Sequence, residues 1–286
     1  SITLDPLGYP AIAYRTSAQK LGFAYLNSTG WTYEIPDDGT DLNMSNSYGQ
    51  VGGTPSIHID RNHNIHIFHV ASDIGVKHTY RPLNNSTWIS EIISPSTWEF
   101  SSTLDSSDNL RVVYAIDYTS NSSGKMFHTT LSNGNWSTYQ IGSTHGSYRN
   151  LHVESDSADN LHLVFQHHAN PSLSFRSLEY LKMNISYIEK TTLFESQNGY
   201  LFAQHSIDYF GAIHVVFTSG VSNPDLYYAT TDVDADNDGY CDGANPISYE
   251  GTLLCQTGPD AFPYNSTEWF DADGDGVGDN SDVFPN

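Results

Sequence analysis

Five times in its first 230 residues the chain sets down an Asp, a polar turn, and an apolar run. Each run ends in an aromatic ring or a His nine positions after the Asp. The instances are Asp5 to Tyr14, Asp60 to His69, Asp105 to Tyr114, Asp156 to Phe165 and Asp208 to Phe217, with Asp-to-Asp spacings of 55, 45, 51 and 52. The turns read PLG, RNHN, SSDN, SADN and YFG, residue types that tolerate a positive φ in a hairpin. Just after the turn come His66, His162 and His214, with Arg111 in the third copy and Ala11 in the first. Recurrence at one repeat position predicts a structural role for these histidines, a hydrogen bond repeated from unit to unit.

A further strand follows each hairpin, at Leu21 to Tyr25, Val76 to Tyr80, Lys125 to Thr129 and Leu226 to Thr230. Trp31, Trp88 and Trp136 open a fourth, which ends near Ile35, Ile93 and Ile141. In the divergent fourth copy the corresponding runs are Ser177 to Met183 and Tyr187 to Phe194. Four antiparallel strands at a period of about 45 to 50 residues are the pattern of propeller blades, which bury both faces by stacking around an axis. A β-sandwich has no reason to repeat the Asp-to-aromatic interval. The expectation is an all-β chain: a five-bladed β-propeller over 1–230, followed by a small irregular calcium-binding segment over 231–286. The blades fall at about 1–36, 52–94, 100–142, 149–195 and 200–230. No fourth strand is evident after Leu226 to Thr230, so the last blade is expected to be three-stranded, covered by the C-terminal segment, or open to a partner chain.

The C-terminal segment carries two Asp-x-Asp-x-Asp-Gly loops. The second is continuous: Asp271, Asp273, Asp275, Asp279 and Asp282 fall at positions 1, 3, 5, 9 and 12 of a calcium loop. Gly276 marks its sharp turn, and Val277 offers a carbonyl. The first loop has Asp234, Asp236, Asp238, Tyr240 (through its carbonyl) and Asp242. Its twelfth position is Asn245, a poor ligand. The endings Asp260-Ala-Phe-Pro and Asp282-Val-Phe-Pro match, which makes Asp260 the closing ligand after an insertion. Cys241 and Cys255 would clip that insertion shut in an oxidising compartment. At least two calcium ions are expected. Bare carboxylates this close would repel one another strongly.

Two resemblances rest on these residues. The blade units resemble repeats of secreted bacterial and archaeal proteins that read Asp-x-x-Gly-x-x-His-Ile-x-Tyr, then Leu-x-Tyr-Ala, then Trp, over residues 1–230. They imply a propeller and no particular activity. The final segment resembles thrombospondin type 3 calcium repeats, which implies a connector stiffened by calcium.

Net charge is −22, from 33 acidic and 11 basic residues. Phosphate backbones and anionic membranes would be repelled, so no nucleic-acid partner is expected. No apolar stretch is long enough to span a bilayer, so no membrane insertion is expected. Asn-x-Ser/Thr acceptors stand at Asn27, Asn43, Asn84, Asn85, Asn121, Asn135, Asn184 and Asn265. With the calcium loops and the cysteine pair they point to an extracellular glycoprotein.

The chain shows no nucleophile elbow, phosphate loop, Cys/His couple or sialidase Asp box, Ser-x-Asp-x-Gly-x-Thr-Trp. Its glutamates are scattered, and sequence cannot pair them. No catalytic residue is therefore assigned. The expectation is a non-enzymatic structural or adhesive subunit of an extracellular surface assembly or fibre, with copies of itself or other extracellular surface proteins as partners. The alternative is a propeller that binds or cleaves carbohydrate, with glycans as partners.

Overall fold

A computed structural model describes residues 1–39, 53–71, 74–95, 97, 99–116, 124–132, 134–144, 146–168, 175–184, 187–196, 200–208, 213–220, 225–230, 240–241, 248–249, 252–253, 260–262 and 264–285. Among them there is no helix. The sequence supplies the reason: β-branched and aromatic residues crowd the apolar runs, and turn formers separate them.

The first sheet is β1 (Ile2–Leu4), β2 (Pro10–Arg15), β3 (Leu21–Asn27) and β4 (Gly30–Asp37), in that spatial order. The second is β5 (Gly53–Ile59), β6 (Ile65–Ala71), β7 (Gly75–Arg81) and β8 (Ile89–Pro95). The third is β9 (Glu99–Leu104), β10 (Leu110–Ile116), β11 (Gly124–Ser132) and β12 (Asn135–Thr144). The fourth is β13 (Ser147–Ser155), β14 (Leu161–His168), β15 (Arg176–Met183) and β16 (Ile188–Ser196). Three strands, β17 (Tyr200–Ile207), β18 (Ile213–Gly220) and β19 (Asp225–Thr230), make a fifth sheet, and β20 (Ser248–Tyr249) pairs with β21 (Thr252–Leu253). Each four-stranded sheet is an antiparallel meander, the blade of a β-propeller. The chain divides into two compact units, Ser1–Gln204 with Thr218–Asp225, and His205–Phe217 with Leu226–Asn286.

In the first unit β2 packs on β5, β5 on β9, and β9 and β10 on β13. Leu161, Leu163 and Phe165 of β14 pack with Val113, Ala115 and Met126 of the third sheet in one core cluster, and Val164 and Gln166 beside them are buried as well, so burial along the strand does not alternate. The fourth strands lie at the rim, and β16 is largely exposed. Phe23, Phe68 and Phe165 are sealed completely, each contributing about 1.5–3 kcal/mol of burial.

The repeated Asp builds each hairpin tip. Asp5, Asp60, Asp105 and Asp156 accept from the backbone N–H groups two and four residues on through Oδ1, at 2.8–3.0 Å. The residue three after each Asp donates to that Asp carbonyl and takes a left-handed backbone: Gly8 (φ 85°), His63 (61°), Asp108 (62°) and Asp159 (62°). Three of these are not glycine. Asp108 and Asp159 belong to a residue type that visits this region; His63 bears more of the strain.

In the third, fourth and fifth sheets the carboxylate's Oδ2 then meets a donor six residues on. His162 Nε2 lies 2.9 Å from Asp156, His214 3.1 Å from Asp208, and the Arg111 guanidinium 2.9 Å from Asp105. His66 stands 3.7 Å from Asp60. The other ring nitrogen accepts from a phenol on the third strand, Tyr180 for His162 (2.7 Å) and Tyr228 for His214 (2.6 Å). In the first sheet Ala11 supplies nothing, and Tyr25 O–H donates to Asp5 directly at 2.8 Å.

Neighbouring blades are clamped by the tryptophans. Trp88 Nε1–H donates to Glu34 Oε2 (2.8 Å), and Trp136 Nε1–H to Glu91 Oε1 (3.0 Å). Both rings pack edge-on against a phenylalanine of the preceding blade, Phe23 or Phe68. Arg81 Nη1 bonds both Glu34 oxygens at 2.6–2.7 Å, with its guanidinium 4.6 Å from the Trp88 ring centre.

Candidate functional site

The inner strands β5, β9 and β13 all run toward their Asp tips. The opposite, strand-start end gathers β13's first residues, β14's last and β15's first. Tyr148 pairs across the ladder with His167, and His167 with Ser177; Glu179 pairs with Phe165. The Tyr148 and His167 rings stack at 5.4 Å and 21°. Behind them Glu179 is buried. Its carboxylate lies 3.8 Å from His167 Nδ1 and 3.4 Å from Lys190 Nζ, and accepts from Ser177 (2.5 Å) and Thr192 (2.9 Å).

Burial alone would raise the Glu179 carboxyl. His167, the two hydroxyls and the Lys190 charge outweigh it and hold the group at about 2. Tyr148 is pushed upward by burial and by the Glu179 charge, so it stays a neutral phenol. Gly142 makes room for it: a Cβ there would sit 2.9 Å from the Tyr148 hydroxyl.

The strand is distorted beside this cluster. The β13–β14 register shifts between Arg149 and His152, and Asn150 there has φ 53°. Such bulges re-aim side chains and cluster near functional sites. The turned Asn150 donates its N–H to Glu99 Oε2 at 3.0 Å and its amide to Gln166 at 3.3 Å. Glu99, Asn150, Gln166, His167 and Tyr148 thus bring two adjacent blades together with acceptors, donors and a part-buried imidazole, Gln166 and Tyr148 being buried. None of them belongs to a motif, so the sequence alone assigns no catalytic residue. The one local signal is the doublet His167-His168.

A second polar cluster sits between the first two blades. Lys77 Nζ lies 2.5 Å from Asp37 Oδ2, and His69 3.5 Å from that oxygen and 2.9 Å from Thr79. His69, Lys77 and Thr79 are all within 1 % of full burial, so the cluster braces the blades and meets no ligand.

In the C-terminal segment, Asp271, Asp273 and Asp275 bring carboxylate oxygens within 4.8 Å of one another. Asp271 accepts from Gly274 N and Gly276 N, at φ 76° and 90°, and curls the loop around those oxygens. Val277 donates to Asp275 (2.8 Å). Asp279 and Asp282 lie outside that trio: Asp279 Oδ1 accepts from Ala272 N and Asp282 Oδ1 from Phe284 N, both at 2.8 Å. Asp260 is buried and accepts from Phe262 N at 2.8 Å, the same bond as Asp282 to Phe284, so the matching endings fold alike.

Tyr240 stacks on Trp269. Asp234, Asp236, Asp238 and Asp242 lie outside the described residues. Cys241 is buried and disulfide-bonded; Cys255, the chain's other cysteine, is outside them. Glu268, not singled out from sequence, is buried and accepts from Asn280 N (2.9 Å) and the Ser281 hydroxyl, closing the second loop.

Of the Asn-x-Ser/Thr sequences, Asn27, Asn85 and Asn265 each accept from the hydroxyl of the Thr two residues on. Asn84 and Asn135 are exposed, and the Asn184 amide donates to Asn160. Asn43 and Asn121 lie outside the described residues. No described helix is long and apolar enough to cross a membrane.

No protein-family profile matches the sequence, and no curated protein is similar to it. Solved structures share the fold. An ulvan lyase, a polysaccharide lyase solved bound to a GlcA(1-4)Rha3S unit, is 12% identical, with TM-score 0.61 over 79% of this chain and 67% of its own. The SapL1 lectin in complex with alpha methyl fucoside is 9% identical, with TM-score 0.51 over 80% and 79%. AofleA from Arthrobotrys oligospora is 13% identical, with TM-score 0.50 over 80% and 67%.

These likenesses show a β-propeller fold shared with carbohydrate-active proteins and lectins. They also correct the expectation of a non-enzymatic protein, because a polysaccharide lyase stands among the similar structures. That expectation rested on the lack of reacting groups close together in the chain. Strand pairing instead brings together side chains far apart in the chain, as Tyr148 and His167 are across β13 and β14.

Proposed function

We propose that this protein is a carbohydrate-active β-propeller. It binds a glycan across the strand-start end of β13–β15 and cleaves it by proton transfer at His167 and Tyr148. The observation that carries the reading is the stacked Tyr148–His167 pair, backed by ionised Glu179 and flanked by the Asn150 bulge. The likeness to an ulvan lyase and to a lectin solved with a fucoside supports the carbohydrate class over the adhesive-subunit reading.

The chemistry follows from protonation. Hydrolysis by two carboxyl groups needs one held neutral near pH 7. The carboxyls of Asp5, Asp60, Glu91, Asp105, Asp156 and Glu179 are held down instead, by hydrogen bonds and neighbouring cations. An imidazole beside a neutral phenol suits elimination better. His167 takes the proton from the carbon next to a uronate carboxylate. A carbon–carbon double bond forms, the bond to the leaving sugar oxygen breaks, and Tyr148 protonates that oxygen.

The test is incubation with a panel of uronate-containing polysaccharides, read by ultraviolet absorbance of the unsaturated product, beside a glycan array. Turnover by the wild type should fall at least a hundredfold in Tyr148→Phe, the scale of one proton-transfer group. Neither binding nor turnover anywhere in the panel would overturn the proposal; binding without turnover would overturn its catalytic half.

The remaining features accompany this reading. The C-terminal segment serves as a calcium-stiffened connector and the protein works outside the cell. The Asp271–Asp273–Asp275 trio and the disulfide at Cys241 support this.

A further inference from the structure

One repeat position is anomalous. Where the second, fourth and fifth units carry His66, His162 and His214, and the third carries Arg111, the first has Ala11. In the other sheets that long side chain reaches the tip carboxylate. In the first, only the Tyr25 hydroxyl does. A cavity of about 130 Å³ lies there, between the tips of the first two blades, lined by Asp5, Tyr25, Ile59, His63, Arg81 and Leu83 among others. One water needs roughly 10–15 Å³ by the same measure, so there is room for a group of several heavy atoms.

The lining restricts what that group can be. Asp5 is ionised, because two backbone N–H groups and the Tyr25 hydroxyl offset the effect of burial. Arg81 is a fixed cation: Nη1 makes both bonds to Glu34, and Nη2 makes none among the described residues. The carboxylate is already met by three donors and the guanidinium by Glu34, so neither calls for a charged ligand. They suit neutral hydroxyls, which can donate to one and accept from the other. Ile59, Ile65 and the 59 % exposed Leu83 provide an apolar wall for a ring face. His63 adds a part-buried imidazole to the lining, on a backbone in the left-handed region.

We infer that this cavity is a binding site for a single neutral sugar ring, a separate site from the strand-start cluster and independent of its chemistry. It lies at the tip where Ala11 replaces the long side chain of the other units and leaves Asp5 with the Tyr25 hydroxyl.

The experiment is saturation-transfer NMR on the full chain with a panel of free neutral monosaccharides: hexoses, 6-deoxyhexoses and pentoses. At least one should receive saturation. Its affinity should drop tenfold or more in Leu83→Ser, a surface change, and in His63→Gly, which relieves backbone strain and keeps the fold. Tyr148→Phe should bind the monosaccharide like the wild type while losing cleavage. Leu83→Ser should keep cleavage, so the two sites fail separately. Absence of saturation for every sugar, or affinities unmoved by both pocket variants, would overturn the inference.

Discussion

His162 shows what one repeat residue does. Its Nε2–H closes the Asp156 tip and its Nδ1 accepts from Tyr180, all while buried to 3 %. Replacing it with Phe keeps the bulk and leaves a part-buried carboxylate and phenol without that partner. Such a loss costs about 1–3 kcal/mol for each group. His162→Phe should therefore lower stability by about 2–4 kcal/mol in urea unfolding. A change below about 0.5 kcal/mol, the scatter of an ordinary surface substitution, would mean the bridge is ornamental. Structural use of the repeated histidines was legible in the sequence, since recurrence every blade suits a building part. Their partners were not. Tyr180 and Tyr228 lie 18 and 14 residues from their histidines, and only strand register brings them together.

Elements joined across blades were harder to read. Trp88 and Trp136 announced a repeat position, but their Nε1–H groups reach Glu34 and Glu91, residues 54 and 45 positions back. The glutamates looked scattered because each serves the next blade. The second acidic loop behaves oppositely. Its ligand-type residues are local, so the curl of Asp271 to Asp275 was readable from spacing. If it holds calcium, adding the ion should protect the C-terminal segment from proteolysis, and terbium luminescence should report binding. Asp273→Ala should weaken affinity at least tenfold. Equal protease sensitivity in calcium and in chelator would argue that the loop stands without an ion.

For the molecule as a whole, buried imidazoles dominate the response to acid. Burial lowers His58, His69, His78 and His128 from 6.5 to about 4. The unfolded chain binds their protons first, so this part of stability is complete above pH 6.5 and drains away as pH falls toward 4. Every tenfold difference in proton affinity between the folded and unfolded chain is worth about 1.4 kcal/mol per group. The tip carboxylates, held below 3.8, add stability that is lost at still lower pH. Thermal unfolding should thus fall steeply between pH 6.5 and 4, and continue falling below. A flat melting temperature across that interval would show that the imidazoles are solvated. Mutating His128 to Phe should flatten the slope.

Sequence by itself determined the all-β class, the hairpin tips, the strand positions, even in the divergent fourth copy, and the local curl of the second acidic loop. All of these depend on side chains within a few residues of one another, through turn chemistry and the period of apolar residues. Tertiary structure decided everything that crosses between strands and blades: the Tyr148–His167–Glu179 cluster, the Asn150 bulge against Glu99, and the cavity beside Asp5 and Tyr25. Those sites arise from register and blade stacking. A chain read in one dimension carries their residues without showing that they meet.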